Sequence, residues 1–299
     1  MINIIGHRKI FLSISALLVA GAITCIAVFG FRPGIDFTGG TLWQIKLADS
    51  QELEATDLNR FFEEKLGVKN ARIFPAADKS FLIRIGHISE EEHQNMLFLS
   101  ESEFGSVEEL KFEVIGPSIG KELRKKAVWA IALVLLGISL YIIYAFRKVS
   151  YPIKSWKYGI AVLISLSHDV LIPAGMLAVL GWKLGVEIDT NFIVALLFIM
   201  GFSVHDTIVV FDRIRENLLD FKNRPDLPEL INKSVNSTIA RSINTSLTLI
   251  VVLLAMFFWG PTTLQYFVLT ILVGATIGTY SSIFVASPLL LYFTSGIKK

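Results

Sequence analysis

Six apolar stretches limit what this chain of 299 residues can fold into: about 10–30, 127–146, 159–181, 191–212, 240–259 and 265–294. Each has about the length a helix needs to cross a hydrocarbon core of about 30 Å. No water is available there to satisfy peptide groups, so each stretch must close its own hydrogen bonds as a helix. Composition agrees. Hydrophobic residues make up 53% of the chain and charged ones 18%, against about 25% charged in soluble domains; the mean hydropathy is +0.59. We therefore read a polytopic α-helical membrane protein with six transmembrane helices and one domain outside the membrane. No small-residue cleavage pattern precedes Phe31-Arg32-Pro33, so the first stretch reads as a retained helix.

Lysine and arginine placement orients the spans. Arg8 and Lys9 precede the first; Arg147, Lys148, Lys154 and Lys157 lie between the second and third. Arg213, Arg215, Lys222, Arg224, Lys233 and Arg241 surround the loop after the fourth, and Lys298 and Lys299 follow the last. These 14 fall on one side, and the short loops opposite hold only Lys183. Both termini are expected to be cytoplasmic. Lys121, Arg124, Lys125 and Lys126 dissent, but long translocated domains follow the rule poorly. The expected organisation is 1–30 for the N-terminus and first helix, 31–126 for an extracytoplasmic domain, and 127–299 for the other five helices.

Residues 31–126 alternate between strand and helix patterns: strands at 41–48, 71–75, 80–86 and 107–115, helices at 51–66 and 89–102. The order βαββαβ predicts a ferredoxin-like α+β sandwich, with Leu42, Ile45 and Leu47 packed on Leu58, Phe61, Phe62 and Leu66. The polar segment 212–241 carries Ile214, Leu218, Leu219, Leu230 and Ile231 at helical spacing. It reads as a helix along the inner membrane surface or as a solvated connector.

Polar residues form a stripe on three spans. The third carries Ser165, Ser167, His168 and Asp169, with Pro173 four residues later unable to donate to the Asp169 carbonyl. The fourth carries Ser203, His205, Asp206 and Thr207; Ser203, Asp206, Val210 and Arg213 share a face. The fifth opens with Arg241, then Asn244, Thr245 and Thr248. A carboxylate in a span costs at least about 2.5–3.5 kcal/mol on insertion scales and often marks an ion pathway. Two readings of Asp206 stand: an ion-coupling group, with Arg241 as its basic partner, or interhelical glue. Serine, threonine and asparagine in spans ordinarily just bridge helices, for about 0.6 kcal/mol each.

Other chemistries are excluded by pattern. The net charge of +2 suggests no nucleic-acid partner, and Cys25 alone permits no intrachain disulfide. His168-Asp169 and His205-Asp206 are adjacent pairs, not the i, i+3 or i+4 spacing of helical metal ligands, so no metal is expected. No phosphate-binding loop or hydrolytic constellation is visible, so the chain reads as no enzyme and as needing no cofactor. Gly274, Gly278, Ser281 and Ser282 make a small-residue face on the last span.

Two motifs carry a resemblance. Gly34-Ile35-Asp36-Phe37-Thr38-Gly39-Gly40 resembles the Asp-Phe-x-Gly-Gly signature of the bacterial SecD/SecF protein-export family, within the resistance-nodulation-division superfamily. Residues 201–217, from Gly201-Phe202-Ser203-Val204-His205-Asp206-Thr207 to Asp212-Arg213-Ile214-Arg215-Glu216-Asn217, are similar to the fourth-span signature of its SecF branch. Gly116-Pro117-Ser118-Ile119-Gly120 and Arg241-Ser242-Ile243-Asn244-Thr245-Ser246 also fit. The resemblance implies a subunit in the bacterial inner membrane that pairs with SecD. Together they would use the proton gradient to draw exported polypeptides through the SecYEG channel, with YajC as a further candidate partner. It makes Asp206 the proton-linked carboxylate and Arg241 its partner, with His205, Asp169 and His168 as accompanying candidates. Asp36, Phe37, Gly39 and Gly40 would be the structural motif. A proton-coupled small-molecule exporter of the same superfamily and a passive translocon scaffold are the competing readings.

Overall fold

A computed structural model describes residues 2–47, 54–68, 71–76, 80–147, 152–220 and 226–294. Expectations at residue 48, at 51–53 and for the charges of Lys148, Lys222, Arg224, Lys298 and Lys299 lie outside the described residues. The chain divides into two compact units, Met1–Arg32 with Trp129–Lys299, and Pro33–Val128.

The larger unit is helical. α1 (Arg8–Phe29) leads into the smaller unit, whose elements are α2 (Ile35–Thr38), β1 (Gly40–Leu47), α3 (Ala55–Glu64), β2 (Arg72–Pro75), β3 (Ser80–Ile85), α4 (Glu90–Phe104) and β4 (Val107–Ile115). The division between units falls within α5 (Pro117–Ala145). Then come α6 (Ser155–Leu184), α7 (Thr190–Asp220) and α8 (Leu227–Trp259). The last span is built from a 3-10 turn at Thr262–Leu264, α9 (Gln265–Ser281), a π-helical turn at Ser282–Ala286 and α10 (Ser287–Thr294). Among the described residues six helical segments are thus long and apolar enough to cross a membrane. α6, α7 and the last span are the most buried; α1, α5 and α8 leave most of their apolar surface outward, as lipid-facing helices do.

The polar segment 212–241 follows neither sequence expectation. α7 and α8 run past the apolar stretches into it and bury Ile214, Leu218, Leu230, Ile231 and Val235. Asn232 Oδ1 accepts from the Ile4 and Ile5 amides at 2.9 and 3.2 Å, pinning the N-terminal segment to α8. Lys157, counted above as a loop charge, is buried, and its Nζ donates to the Phe293 carbonyl at 2.5 Å.

The smaller unit forms an antiparallel sheet in the order β2-β3-β1-β4. β3 lies between β1 and β2, which is the split βαβ arrangement expected from the element order. Alternation along β1 buries Trp43, Ile45 and Leu47 against Leu58, Phe61 and Phe62. Leu42 was expected in this core, but side chains alternate with period two, so it lies on the opposite face. Trp43, absent from the expected core, is fully buried, and its indole N–H donates to Glu109 Oε2 at 2.7 Å. The same carboxylate oxygen lies 2.6 Å from His93 Nε2, whose ring stacks on Phe112 at 3.6 Å. α4 begins with a capping box in which the Ser89 amide donates to the Glu92 carboxylate at 2.7 Å, holding that carboxyl below its ordinary pKa.

The double glycine is fixed by close approach. Gly39 has φ +76°, and a Cβ there would lie 2.7 Å from Pro117 Cα; at Gly40, with φ +137°, it would lie 2.8 Å from the Ile85 carbonyl oxygen. Gly120 fits against the same turn, where a Cβ would sit 2.8 Å from the Gly39 nitrogen. Ile35–Thr38 is one helical turn, which buries Phe37 and places Asp36 in that turn.

Replacing Phe62 by Ala should cost the smaller unit about 3–5 kcal/mol, and Leu42→Ala much less. Pulse proteolysis of the purified protein across a urea series checks both: Phe62→Ala should lower the cleavage midpoint far more than Leu42→Ala. Gly40→Val should lower it as well, since a β-branched side chain resists this φ.

Candidate functional site: a buried polar layer in the helical unit

Asp169 is fully buried on α6, and three side chains point hydrogens at it. His168 Nδ1 lies 2.8 Å from Oδ1, Ser281 Oγ of α9 donates to Oδ2 at 2.7 Å, and Ser203 Oγ of α7 donates to Oδ2 as well. Ser165 Oγ adds a bond to Ser281 Oγ at 3.1 Å. Each charge-assisted bond of this kind contributes about 1.5–3 kcal/mol. The carboxylate therefore ties three helices together.

Asp206 sits one turn further along the buried face of α7, 2% exposed. Among the described residues its side chain has one hydrogen-bond partner, Ser246 Oγ of α8, at 3.3 Å. That hydroxyl lies closer to the Ser242 carbonyl, at 2.8 Å, and carries one hydrogen to give. Thr279 Oγ1 of α9 lies 2.5 Å from Ser246 Oγ and closes the layer. The two buried carboxylates thus differ sharply in satisfaction: Asp169 is saturated, and Asp206 is held by one long contact.

The helices reach this closeness through small residues. A Cβ on Gly274 would lie 2.2 Å from Ile199 Cδ1, and one on Gly278 would lie 3.0 Å from Ser203 Cβ. The small-residue face read from the sequence is therefore the seam between α9 and α7.

On the face that Ser203, Asp206, Val210 and Arg213 were expected to share, the first three are buried and Arg213 is half-buried. The expected Asp206–Arg241 pair is not formed. Arg241 is exposed, as are Asn244, Thr245 and Thr248, whereas Ser242 and Ser246 face inward. The reason is rotational: a helix turns about 100° per residue, so residues adjacent to the Ser242–Ser246 row point elsewhere. Spacing alone marked a row on α8, but not which row turns inward. His205 is exposed too, so of the five candidates the structure gathers only Asp169, His168 and Asp206 into the layer. Ser281 and Ser246 were not expected as carboxylate partners, nor Thr279 as the neighbour of Ser246. The i, i+4 pair Ser242/Ser246 was the legible signal for the second of these. Among the described residues, no group of three His, Cys, Asp or Glu side chains is placed to hold a metal.

Comparison with known proteins fits this architecture. The family model described as "Protein export membrane protein SecD/SecF, C-terminal" matches residues 97–296, and the "SecD/SecF GG Motif" matches 26–49. The chain belongs to the SecD/SecF family. The protein translocase subunit SecF of Thermobaculum terrenum is 43% identical, with 97% of this chain and 93% of that protein covered. The SecF subunit of Anaerolinea thermophila is 36% identical, with 99% and 95% covered. A crystal structure of SecDF from Thermus thermophilus, "a translocon-associated membrane protein", superimposes with a TM-score of 0.83 at 38% identity. It covers 98% of this chain, and the chain spans 39% of that longer protein. The Asp-Phe-x-Gly-Gly turn and the fourth-span signature thus resembled the family to which the chain belongs. It is a multi-pass membrane protein of a transport family.

Loss of one Asp169 donor should be felt across the layer. Ser281→Ala should destabilise the purified protein by about 1–3 kcal/mol, read as a drop in thermal midpoint, while Thr248→Ala on the exposed row should leave the midpoint nearly unchanged. Gly274→Leu should lower it most, because a Cβ alone would lie 2.2 Å from Ile199 Cδ1 and a whole leucine side chain overpacks the seam.

Proposed function

We propose that this chain is the SecF subunit of a bacterial Sec translocase, resident in the inner membrane with both termini cytoplasmic and the smaller unit outside. In this reading it pairs with SecD, acts beside the SecYEG channel with or without YajC, and couples proton flow to the late outward movement of exported polypeptides. The energy source is the gradient itself, with no cofactor. The observation that carries the coupling is the asymmetry between the two carboxylates. A saturated Asp169 serves as an anchor. Asp206, poorly satisfied by its own chain, is the group free to bind and release a proton.

Pairing is supported by polar groups turned away from the chain's own interior. His205 on α7 and Arg241, Asn244 and Thr245 on α8 are exposed within or beside apolar stretches. Lipid offers such groups few hydrogen bonds, whereas a neighbouring helical protein satisfies them. Arg241 is thereby assigned to the partner-facing flank, where a carboxylate of SecD could meet it, and not to Asp206 within this chain. The fused SecDF relative places a SecD portion and a SecF portion in one chain. The solute-exporter and scaffold readings gain nothing from the geometry.

Asp206→Asn keeps size and hydrogen bonding but cannot cycle a proton. Inverted vesicles carrying this variant should assemble with SecD and lose the export stimulated by an imposed proton gradient. Arg241→Ala should be more damaging than Arg241→Lys, which keeps the charge without the planar fork. Full gradient response in Asp206→Asn vesicles would overturn the coupling role and leave the carboxylate as a packing element.

A further inference from the structure

Strands β1 and β4 change register part-way along their length. Trp43 pairs with Phe112 and Gln44 with Lys111, but Ile45 pairs with Glu109, so Leu110 is passed over. Such a bulge flips the side chains beyond it to the other face. In an unbroken register Glu109 would stand opposite Lys46, on the sheet face away from the helices. With the bulge it stands opposite Ile45, on the face that Trp43 and Ile45 bury. A carboxylate is thereby delivered to the side on which α4 packs.

His93 of α4 meets it there and is itself buried. Its ring stacks on Phe112 with centroids 3.6 Å apart and meets Trp43 edge-on at 5.4 Å. Nε2 lies 2.6 Å from Glu109 Oε2, and Nδ1 lies 3.5 Å from Glu90 Oε1. Among the described residues these two acids are the ring's ion-pair partners, one from β4 and one from its own helix. From β1, the Trp43 indole N–H donates to the same Glu109 oxygen at 2.7 Å. Lys111 of β4 lies across the bulge, opposite Gln44, and pairs with Glu113 at 3.1 Å. Hydrogen bonds from Gln94 and then from His93 hold the Glu90 carboxyl below its ordinary pKa, which keeps it ionised into the acid range.

This geometry suits one protonation state of the ring better than any other. A neutral imidazole carries one N–H. Whichever nitrogen holds it, the other turns a lone pair toward a carboxylate oxygen, which can only accept. A doubly protonated ring donates to both acids, and the face of Phe112 attracts a cation stacked on it. Histidine is the side chain whose ordinary pKa, about 6.5, lets such a change occur near neutral pH.

We propose that His93 is a proton-dependent latch between α4 and the sheet: once doubly protonated, it ties α4 to Glu109 of β4 through one N–H, while Glu90 fixes the ring through the other. The tie strengthens as pH falls through the range in which histidine takes up its second proton, and it is lost as pH rises. It needs ionised acids, so it operates above about pH 5. With the smaller unit outside, as proposed above, the latch reads the acidity of the compartment that supplies protons. That consequence rests on the proposed orientation; the latch itself does not.

The test is hydrogen exchange of the full chain in lipid nanodiscs, read by mass spectrometry between about pH 5.5 and about pH 8, the range around histidine's ordinary pKa, and corrected for the intrinsic pH dependence of exchange. Amides of α4 from residue 93 to residue 104 should be about tenfold better protected at the acid end, the effect of one added charge-assisted hydrogen bond. Those of α3, which packs on the same sheet without a histidine, should change little. His93→Gln keeps a donor for Glu109 and should flatten the α4 response. Glu90 is exposed, so Glu90→Gln should weaken the response without unfolding the unit and decides the matter where His93→Gln does not fold. Two results would overturn the proposal: α4 protection that tracks α3 across the range, or the full acid response persisting in either folded variant. The readout is confined to the smaller unit, so the latch and the coupling role of Asp206 can fail separately.

Discussion

The helical unit is organised by the need to accommodate two carboxylates inside an apolar bundle. On insertion scales each costs at least about 2.5 kcal/mol at mid-membrane depth, and lipid supplies no donor to offset it. Partners must come from neighbouring helices, so the polar groups gather in one layer across α6, α7, α8 and α9. Serine hydroxyls reach the carboxylates where Gly274 and Gly278 let α9 approach Ile199 and Ser203 of α7 closely. Packing and electrostatics are therefore one design: enlarging the seam would separate the donors from the charge they neutralise.

Within that layer the chain treats its two acids differently. Among the described residues Asp169 has His168, Ser203 and Ser281 around it, and Asp206 has Ser246 at 3.3 Å. A proton-coupling group must be able to change its charge state without dismantling the fold. Three strong donors resist such a change, and one long contact does not. In the proposed function the exposed side chains of His205 and Arg241 extend the same logic outward, toward a partner subunit.

Much of the architecture was legible in the residues. Hydrophobic runs near the thickness of a bilayer fixed the six spans, because length is set by the membrane. The order of the strand and helix patterns between 31 and 126 fitted a split βαβ sheet, and the double glycine marked a turn where backbone meets backbone. What failed was rotational phase. Leu42 and Trp43 are both apolar neighbours in a strand, and only the sheet's pleat decides which faces α3. On α8, Arg241 and Ser242 are likewise neighbours, and only packing against α7 and α9 selects the serine row. The extensions of α7 and α8 into 212–241 were hidden for a different reason. Their buried face is completed by the N-terminal segment through Asn232, a contact between residues more than two hundred positions apart.

The central claim is that Asp206 and not Asp169 changes protonation when the gradient is applied. Infrared difference spectroscopy of the reconstituted complex, recorded between two lumenal pH values, reads this directly through the C=O stretch of a protonated carboxyl. The account predicts a difference band that disappears in Asp206→Asn and persists in Asp169→Asn. A band that survives in Asp206→Asn and vanishes in Asp169→Asn would contradict it and transfer the coupling role to the saturated site.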